Sequence, residues 1–355
     1  MQIVGWAFTA PKEPQVLVQR EESCAAGEVL VEVAGCGVCH TDLGFYYDGV
    51  PTRHALPLTL GHEISGKVVA AGAGAEGWLG RLVVVPAVIP CGKCRACLDG
   101  RGSICPQQIV PGNDVHGGFA SHVRVPAQGL CPVPDLGDRR LNPQGIDLAS
   151  LSVVADAVST PYQAIERAGL GRGDVAVFVG AGGVGGFGVQ IAASRGAHVV
   201  AIDVDEQKLE QMQQHGAGLG LLAGDARELK KKIGAFAREF GAPTWRTFVF
   251  ETSGTKSGQE SAFALLGHGG FLSVVGYTPA KVELRLSNLM ALDATAQGNW
   301  GCLPEHYPAV VDLVLSGAVQ VAPFVEHRPL STINRTFADI HERKLSRRVV
   351  LIPGS

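Results

Sequence analysis

The sequence predicts an α/β protein in which a small β-rich part precedes a doubly wound parallel sheet. Three observations predict it. After Asp156, apolar runs of four to six residues alternate with segments long enough for helices. The first of these runs leads straight into a glycine-rich turn, Gly180-Ala-Gly182-Gly183-Val184-Gly185. Before Asp156 the runs are short, rich in Val, Gly and Pro, and separated by long loops.

In the first part, Val29-Leu-Val-Glu-Val33 alternates as a half-buried strand does. Lys67-Val-Val-Ala70, Arg81-Leu-Val-Val-Val85 and Ser121-His-Val-Arg-Val125 are further short strands. In the second part the strand candidates are Val175–Val179, His198–Ile202, Leu219–Leu222, Thr247–Phe250 and Phe271–Val275. A sixth strand near Ala294–Gln297 completes the order of a doubly wound sheet. Glu206–His215 carries Leu209 and Met212 on one helical face. The tail from Trp300 holds one helix, His306–Ser316, and then short strands.

The 355 residues accommodate two cores. The net charge of −3 supplies no basic field, so neither nucleic acid nor a membrane surface is expected as a partner. The uncharged stretch Val175–Ser194 has the length of a membrane span, but six glycines fall between Gly180 and Gly188. It reads better as strand, turn and helix. The start, Met1-Gln-Ile-Val-Gly-Trp6, has no basic region followed by an apolar core, so no signal peptide is expected. Cys24, Cys36, Cys131 and Cys302 show no disulfide-type spacing, which fits a reducing cytoplasm.

Cysteine spacing carries the strongest chemistry. Cys91, Cys94, Cys97 and Cys105 place thiolates at short loop intervals, as a closed tetrahedral zinc site requires. An iron–sulfur cluster is the rival, because Pro106 follows Cys105, but the last gap of seven residues is too long for the ferredoxin pattern. A second set of ligand types lies nearby: Cys39, His62, Glu63 and Asp156. Two zinc ions per chain are therefore expected, one holding shape and one doing chemistry.

The glycine-rich turn matches the dinucleotide fingerprint in its proper setting, after a strand and before a helix. Gly180 makes the tight turn and Gly182 lets backbone approach a pyrophosphate. Gly185 lets helix pack on strand, and Gly183 and Val184 open the helix. Asp203 follows Gly180 by 23 residues, where a carboxylate accepts ribose hydroxyls and repels a 2′-phosphate. NAD is therefore expected over NADP. A helix N-cap is the structural alternative for Asp203, and Asp205 suits that role better.

Gly37-Val-Cys39-His-Thr41-Asp42, Gly61-His62-Glu63, the four-Cys lobe and Ser159-Thr-Pro-Tyr162 together resemble the zinc-dependent medium-chain alcohol dehydrogenases over essentially the whole chain. The resemblance implies a GroES-like β-rich catalytic domain from residues 1–157 and 299–355, with a Rossmann coenzyme domain at 158–298. It makes Cys39, His62 and Asp156 ligands of the catalytic zinc, with Glu63 beside them as charge or occasional ligand. Asp156 stands where many relatives have Cys, and carboxylate is a normal zinc donor. Its structural alternatives are a residue behind the ligands or a salt-bridge partner. Thr41 becomes the acceptor of the alcohol proton, while the relay His of many relatives is here Gly44. His40, Lys208 and Arg348 match positions near the coenzyme's phosphates and ribose. Dimers or tetramers are common in the family, so a homo-oligomer is expected.

Leu43–Pro51, Leu151–Val158 and Gly298–Pro308 are further similar, phrase by phrase, to the 6-hydroxycyclohex-1-ene-1-carbonyl-CoA dehydrogenase branch, which serves anaerobic benzoyl-CoA degradation. That similarity implies oxidation of a cyclic hydroxyacyl-CoA thioester to a conjugated 6-oxo enone, with conjugate water addition as a second activity. The basic candidates for CoA are Arg328, Arg343, Lys344 and Arg347. Lys230-Lys-Lys232 reads instead as a solvated helix face. The competing readings are a polyol or secondary-alcohol dehydrogenase and a non-catalytic zinc and nucleotide-binding redox sensor.

Overall fold

The computed structural model of the protein describes residues 1–354. The chain divides into two compact units. One comprises Met1–Ser159, Gly301–Gly317 and the chain from Val321 onward; the other comprises Thr160–Trp300 with Ala318–Gln320. The seams thus fall two residues beyond the boundaries read from the sequence, and Ala318–Gln320 joins the second unit.

The first unit begins with an antiparallel pair, β1 (Gln2–Ala7) and β2 (Val16–Glu21), which the sequence pattern did not reveal. Then come β3 (Glu28–Gly37), α1 (His40–Tyr47), β4 (Glu63–Ala71), β5 (Leu82–Val85), α2 (Arg95–Leu98), β6 (His122–Pro126) and β7 (Cys131–Pro132). Val29, Val31, Ile64, Val68, Val83 and Val85 are fully buried, as their alternation demands. β3 is the centre of this sheet. It pairs antiparallel with β4 and with β6, and register shifts at Leu30/Val31 and Val33/Gly35 interrupt its ladder to β4.

The second unit starts with α3 (Ser159–Ala168, whose first residue belongs to the first unit), then β8 (Val175–Val179), α4 (Gly183–Ser194), β9 (His198–Asp203), α5 (Glu206–Gln214), β10 (Leu219–Leu222) and α6 (Ala226–Glu239). β11 (Thr247–Glu251), α7 (Lys256–Ala264), β12 (Phe271–Val274), α8 (Ser287–Leu292) and β13 (Thr295–Gly298) complete it. All six strands are parallel, in the order β10-β9-β8-β11-β12-β13. This is the doubly wound order, and its switch point lies between β8 and β11. Every residue of β8 is buried, the mark of a central parallel strand. The membrane-length stretch is therefore a strand, a turn and a helix. Among the described residues no helix is long and apolar enough to cross a membrane. Lys230, Lys231 and Lys232 lie on the exposed face of α6, opposite buried Leu229, Ile233 and Phe236.

The tail returns to the first unit. A turn at Pro304–His306 leads into α9 (Tyr307–Leu315), shorter by a residue at each end than the expected helix. β14 (Val325–Pro329), α10 (Ile333–His341) and β15 (Arg348–Ile352) follow. β15 pairs with β3 through Val350↔Gly37 and Leu351↔Cys36, giving a seven-strand sheet built from both ends of the chain.

A β-carbon added at Gly185 would sit 1.8 Å from the Gly180 carbonyl oxygen, whereas one at Gly182 would meet nothing within 4 Å. Gly185→Ala should therefore cost the second unit about 1–3 kcal/mol, the usual range for overpacking. Gly182→Ala should leave stability nearly unchanged. Chemical denaturation of both variants checks the contrast.

Candidate metal centre and dinucleotide turn

Cys39 leaves β3 and caps α1. Its amide donates to Asp42 Oδ2 at 2.9 Å, and its thiol faces the backbone of the first helical turn. The other oxygen of Asp42 accepts the Gly61 amide at 3.1 Å and lies 3.5 Å from His62 Nδ1. Asp42 is fully buried. One carboxylate thus fixes the cap, the loop before β4 and one ring nitrogen of His62. That leaves His62 Nε2 facing Asp156 Oδ2 at 3.6 Å, and the same oxygen lies 3.4 Å from Cys39 Sγ. Orienting an imidazole through its far nitrogen is what a ligating histidine requires.

Donor atoms of Cys39, His62, Glu63 and Asp156 all lie within 4.8 Å of one another. Burial alone would lower the pKa of His62; Asp42 and then Asp156 outweigh it and raise it well above the ordinary value. Glu63 is raised to about 7 by burial, against the pull of Arg348. Cys39, Asp42, Glu63 and Asp156 surround His62, while Arg348 is bonded to Glu63. The donor set is soft, borderline and hard in one cluster with surplus negative charge, which suits a divalent zinc.

Glu63 does not reach into this cluster freely. Its carboxylate takes Arg348 Nε at 2.8 Å and Arg348 Nη2 as a bidentate pair. The Arg348 side chain is only 7% exposed and is bonded to Glu63, a partner that the sequence did not indicate. A β-carbon at Gly37 would stand 2.0 Å from Glu63 Oε2, so the glycine is what admits the carboxylate. Thr41 is exposed, with Oγ1 3.8 Å from Cys39 Sγ. Gly44 is buried on α1 and carries no relay group, and His40 is exposed at the start of the same helix.

The four-Cys lobe is a second, separate cluster. Cys94 Sγ lies 3.4 Å from Cys97 Sγ and 3.7 Å from Cys105 Sγ, and Cys91 Sγ is 4.0 Å from Cys97 Sγ. The amides of Cys91 and Gln107 point at Cys105 Sγ from 3.4 and 3.3 Å. The Lys93 amide leads in holding the Cys91 thiol down at about 6, while desolvation and then the neighbouring sulfurs push Cys97 up to about 12. Four sulfurs this close resist ionising together, and a bound dication removes the conflict. The other cysteines, Cys39 included, are thiols as well.

In the second unit, the turn from β8 into α4 has Gly180 at φ +100°. Thr252 Oγ1 donates to the Gly180 carbonyl at 2.7 Å. Glu251 Oε1 accepts the amides of Ser253 and Gly254 and the Ser253 hydroxyl, and so fixes the loop that backs the turn. Neither Thr252 nor Glu251 was singled out from the sequence, because nothing local marks a strand-end residue as a brace. Asp203 ends β9 with Oδ2 2.7 Å from the Ala181 amide and Oδ1 accepting the Val204 and Asp205 amides. Asp205 is the N-cap of α5, accepting the Gln207 amide. Lys208 is half-buried on α5, beside a concavity lined by Val204, Asp205, Glu206, Gln207 and Leu222. Helix-start amides, an open Gly182 and an acidic strand end are the parts that a dinucleotide requires.

Comparison with known proteins agrees with this geometry. Residues 25–135 match the alcohol dehydrogenase GroES-like domain, and residues 183–316 match the zinc-binding dehydrogenase domain. An alcohol dehydrogenase of Geobacillus stearothermophilus is 30% identical over 346 residues, spanning 96% of each chain. An L-threonine 3-dehydrogenase of Bacillus licheniformis is 30% identical over 336 residues, spanning 92% of this chain and 91% of its own. The crystal structure of an alcohol dehydrogenase from Thermotoga maritima superposes with a TM-score of 0.86 at 26% identity, covering 99% of this chain and all of the other. The chain therefore belongs to the zinc-dependent medium-chain alcohol dehydrogenases, oxidoreductases that act on CH–OH groups.

Proposed function

We propose that the protein oxidises the ring hydroxyl of a cyclic hydroxyacyl-CoA thioester, 6-hydroxycyclohex-1-ene-1-carbonyl-CoA, with NAD as acceptor. The observation that carries the chemistry is the convergence of Cys39, His62 and Asp156 with Thr41 alongside. In this reading Cys39, His62 and Asp156 hold the catalytic zinc, and Cys91, Cys94, Cys97 and Cys105 hold a structural one. When bound, zinc supplies Lewis-acid polarisation of a hydroxyl and nicotinamide supplies the hydride acceptor. Thr41 Oγ1 would accept the hydroxyl proton as it passes its own proton on to solvent, since position 44 is glycine and offers no side-chain acceptor. Asp42 keeps His62 in the ligating tautomer. Arg348 holds Glu63 beside the ligands, where its charge is partly neutralised. A redox sensor has no use for a proton acceptor at Thr41.

Support for the CoA ester comes from the whole-phrase similarity, with Asp156 and Gly44 included. Four basic residues are the candidates for the CoA phosphates. Arg328 is paired with Glu326 and Asp339, and Lys344 with Glu342. Arg343 and Arg347 are exposed. The second reading, a secondary-alcohol or polyol dehydrogenase, is favoured by the names of the relatives, which include alcohol and threonine dehydrogenases. A homo-oligomer completes the proposal, with β13 as an exposed sheet edge in the second unit.

Turnover and product analysis test the substrate. NADH formation should be fastest with the cyclic hydroxyacyl-CoA and weaken as salt rises. Equal turnover of the free acid, or preference for a simple polyol, would select the second reading. Incubation with the enone thioester should add one water by mass spectrometry; no gain over the enzyme-free control removes that step.

Metal analysis should find two zincs per chain. Asp156→Ala should lose one, keep the other and still bind NAD, with turnover reduced at least a hundredfold. Retention of both metals with near-normal activity would show that Asp156 is not a ligand.

Asp203→Ala should weaken NAD binding about tenfold or more and narrow the discrimination against NADP, since the carboxylate both repels a 2′-phosphate and braces the Ala181 amide. Coenzyme titration followed by fluorescence checks both effects. Equal affinity of the unaltered protein for the two coenzymes would defeat the assignment.

A further inference from the structure

Tyr307 is the first residue of α9 and is fully buried. Its hydroxyl lies 3.2 Å from the Ala87 amide and 2.5 Å from the Ala155 carbonyl oxygen. A hydroxyl that accepts from an amide must give its own proton elsewhere, and the Ala155 carbonyl is placed to take it. Two further donors reach the same oxygen: Ser159 Oγ at 3.2 Å and the Ala87 amide itself at 3.4 Å. The peptide that leads into Asp156 is therefore gripped on its carbonyl side.

Asp156 needs such a grip. It follows a 3-10 turn, Ser150–Ala155, at φ −142° and ψ −60°, in neither helical nor strand conformation. No regular ladder sets its direction. His62, by contrast, directly precedes β4, and β4 pairs with β5 through Ile64↔Val85. Ala87 lies two residues beyond the end of β5. The phenol thus ties the segment that continues from the His62-bearing part of the sheet to the turn that carries Asp156.

We infer that Tyr307 is a positioning residue for the mixed metal centre: its hydroxyl fixes the Ala155–Asp156 peptide so that the Asp156 carboxylate stays opposite Cys39 and His62. This rests on the reading of Asp156 as a ligand. A buried tyrosine always seeks a polar partner, so a purely packing role is the competing explanation. The two differ in what the hydroxyl does to the metal.

Tyr307→Phe removes the hydroxyl and keeps the ring. The protein is loaded with Co²⁺ at the mixed centre, and its affinity is measured by competition with a chromophoric chelator alongside the visible d–d absorption. Loss of an outer partner of a metal ligand costs about 10–100-fold in affinity. The expected result is about tenfold weaker Co²⁺ binding at the mixed centre, with altered d–d bands and the four-Cys site unchanged. Ser159→Ala, which removes a longer bond to the same carbonyl, should move both readings the same way by less. Parental affinity and spectrum in Tyr307→Phe would overturn the inference, as would equal loss from both metal sites. Asp156→Asn is measured in parallel. If it binds Co²⁺ as the parent does, the ligand assignment itself fails. If it weakens binding while Tyr307→Phe does not, only the role of Tyr307 falls.

Discussion

The buried pair of Glu63 and Arg348 is the interaction on which the catalytic unit depends. Glu63 is fully buried, and its carboxylate is bonded twice by one guanidinium. Breaking such a pair from one side costs about 3–5 kcal/mol, because the remaining charge has no solvent to return to. Burial works against the charged form of Arg348, yet Glu63 first, then Cys39 and Asp156, raise its pKa. The pair also joins distant parts of the chain. Glu63 begins β4 and Arg348 begins β15, both of which flank β3. Gly37 on β3 leaves the space between them. Sheet closure by the tail and charge balance at the metal centre are therefore one structural fact.

The proposed ligands sit around this pair. Cys39 follows β3, His62 precedes β4, and Asp156 ends a turn packed on both strands. Each comes from the end of an element rather than its middle, so each carries a free direction that something else must set. Asp42 sets it for Cys39 and His62 at once. These supports are hydrogen bonds to backbone or to a single ring nitrogen, and they hold geometry that packing alone leaves loose.

Much of this was legible in the sequence where the signal is local. The spacing of Cys91, Cys94 and Cys97 is a property of seven consecutive residues, and the lobe closes as the spacing implies. The glycine turn is local too, and β8 and α4 flank it as expected. What was not legible is long-range. Arg348 lies 285 residues from Glu63, and no local pattern names that partner. Tyr307 lies 152 residues from Ala155. β1 and β2 escaped notice because β2 is largely exposed and carries no strong alternation. Asp42 is the intermediate case. It was visible inside the Cys-His-Thr-Asp motif, but its function needs the fold, which brings Gly61 and His62 back over α1.

In the proposed ligand set, carboxylate in place of thiolate at Asp156 is the sequence departure with the most chemical content. A thiolate is a large soft donor that tolerates displacement; a carboxylate oxygen binds at shorter range and offers less charge to the metal. Its position must accordingly be held more tightly. Cys39 Sγ and His62 Nε2 both lie within 3.6 Å of the same Asp156 oxygen. That oxygen has little freedom before it collides with one donor or leaves the other. The convergence of three hydrogen-bond donors on the Ala155 carbonyl is the matching constraint on the backbone side. In the proposed ligand set a harder, shorter ligand goes with a more firmly anchored peptide, and the weaker donor would leave a bound zinc the stronger Lewis acid.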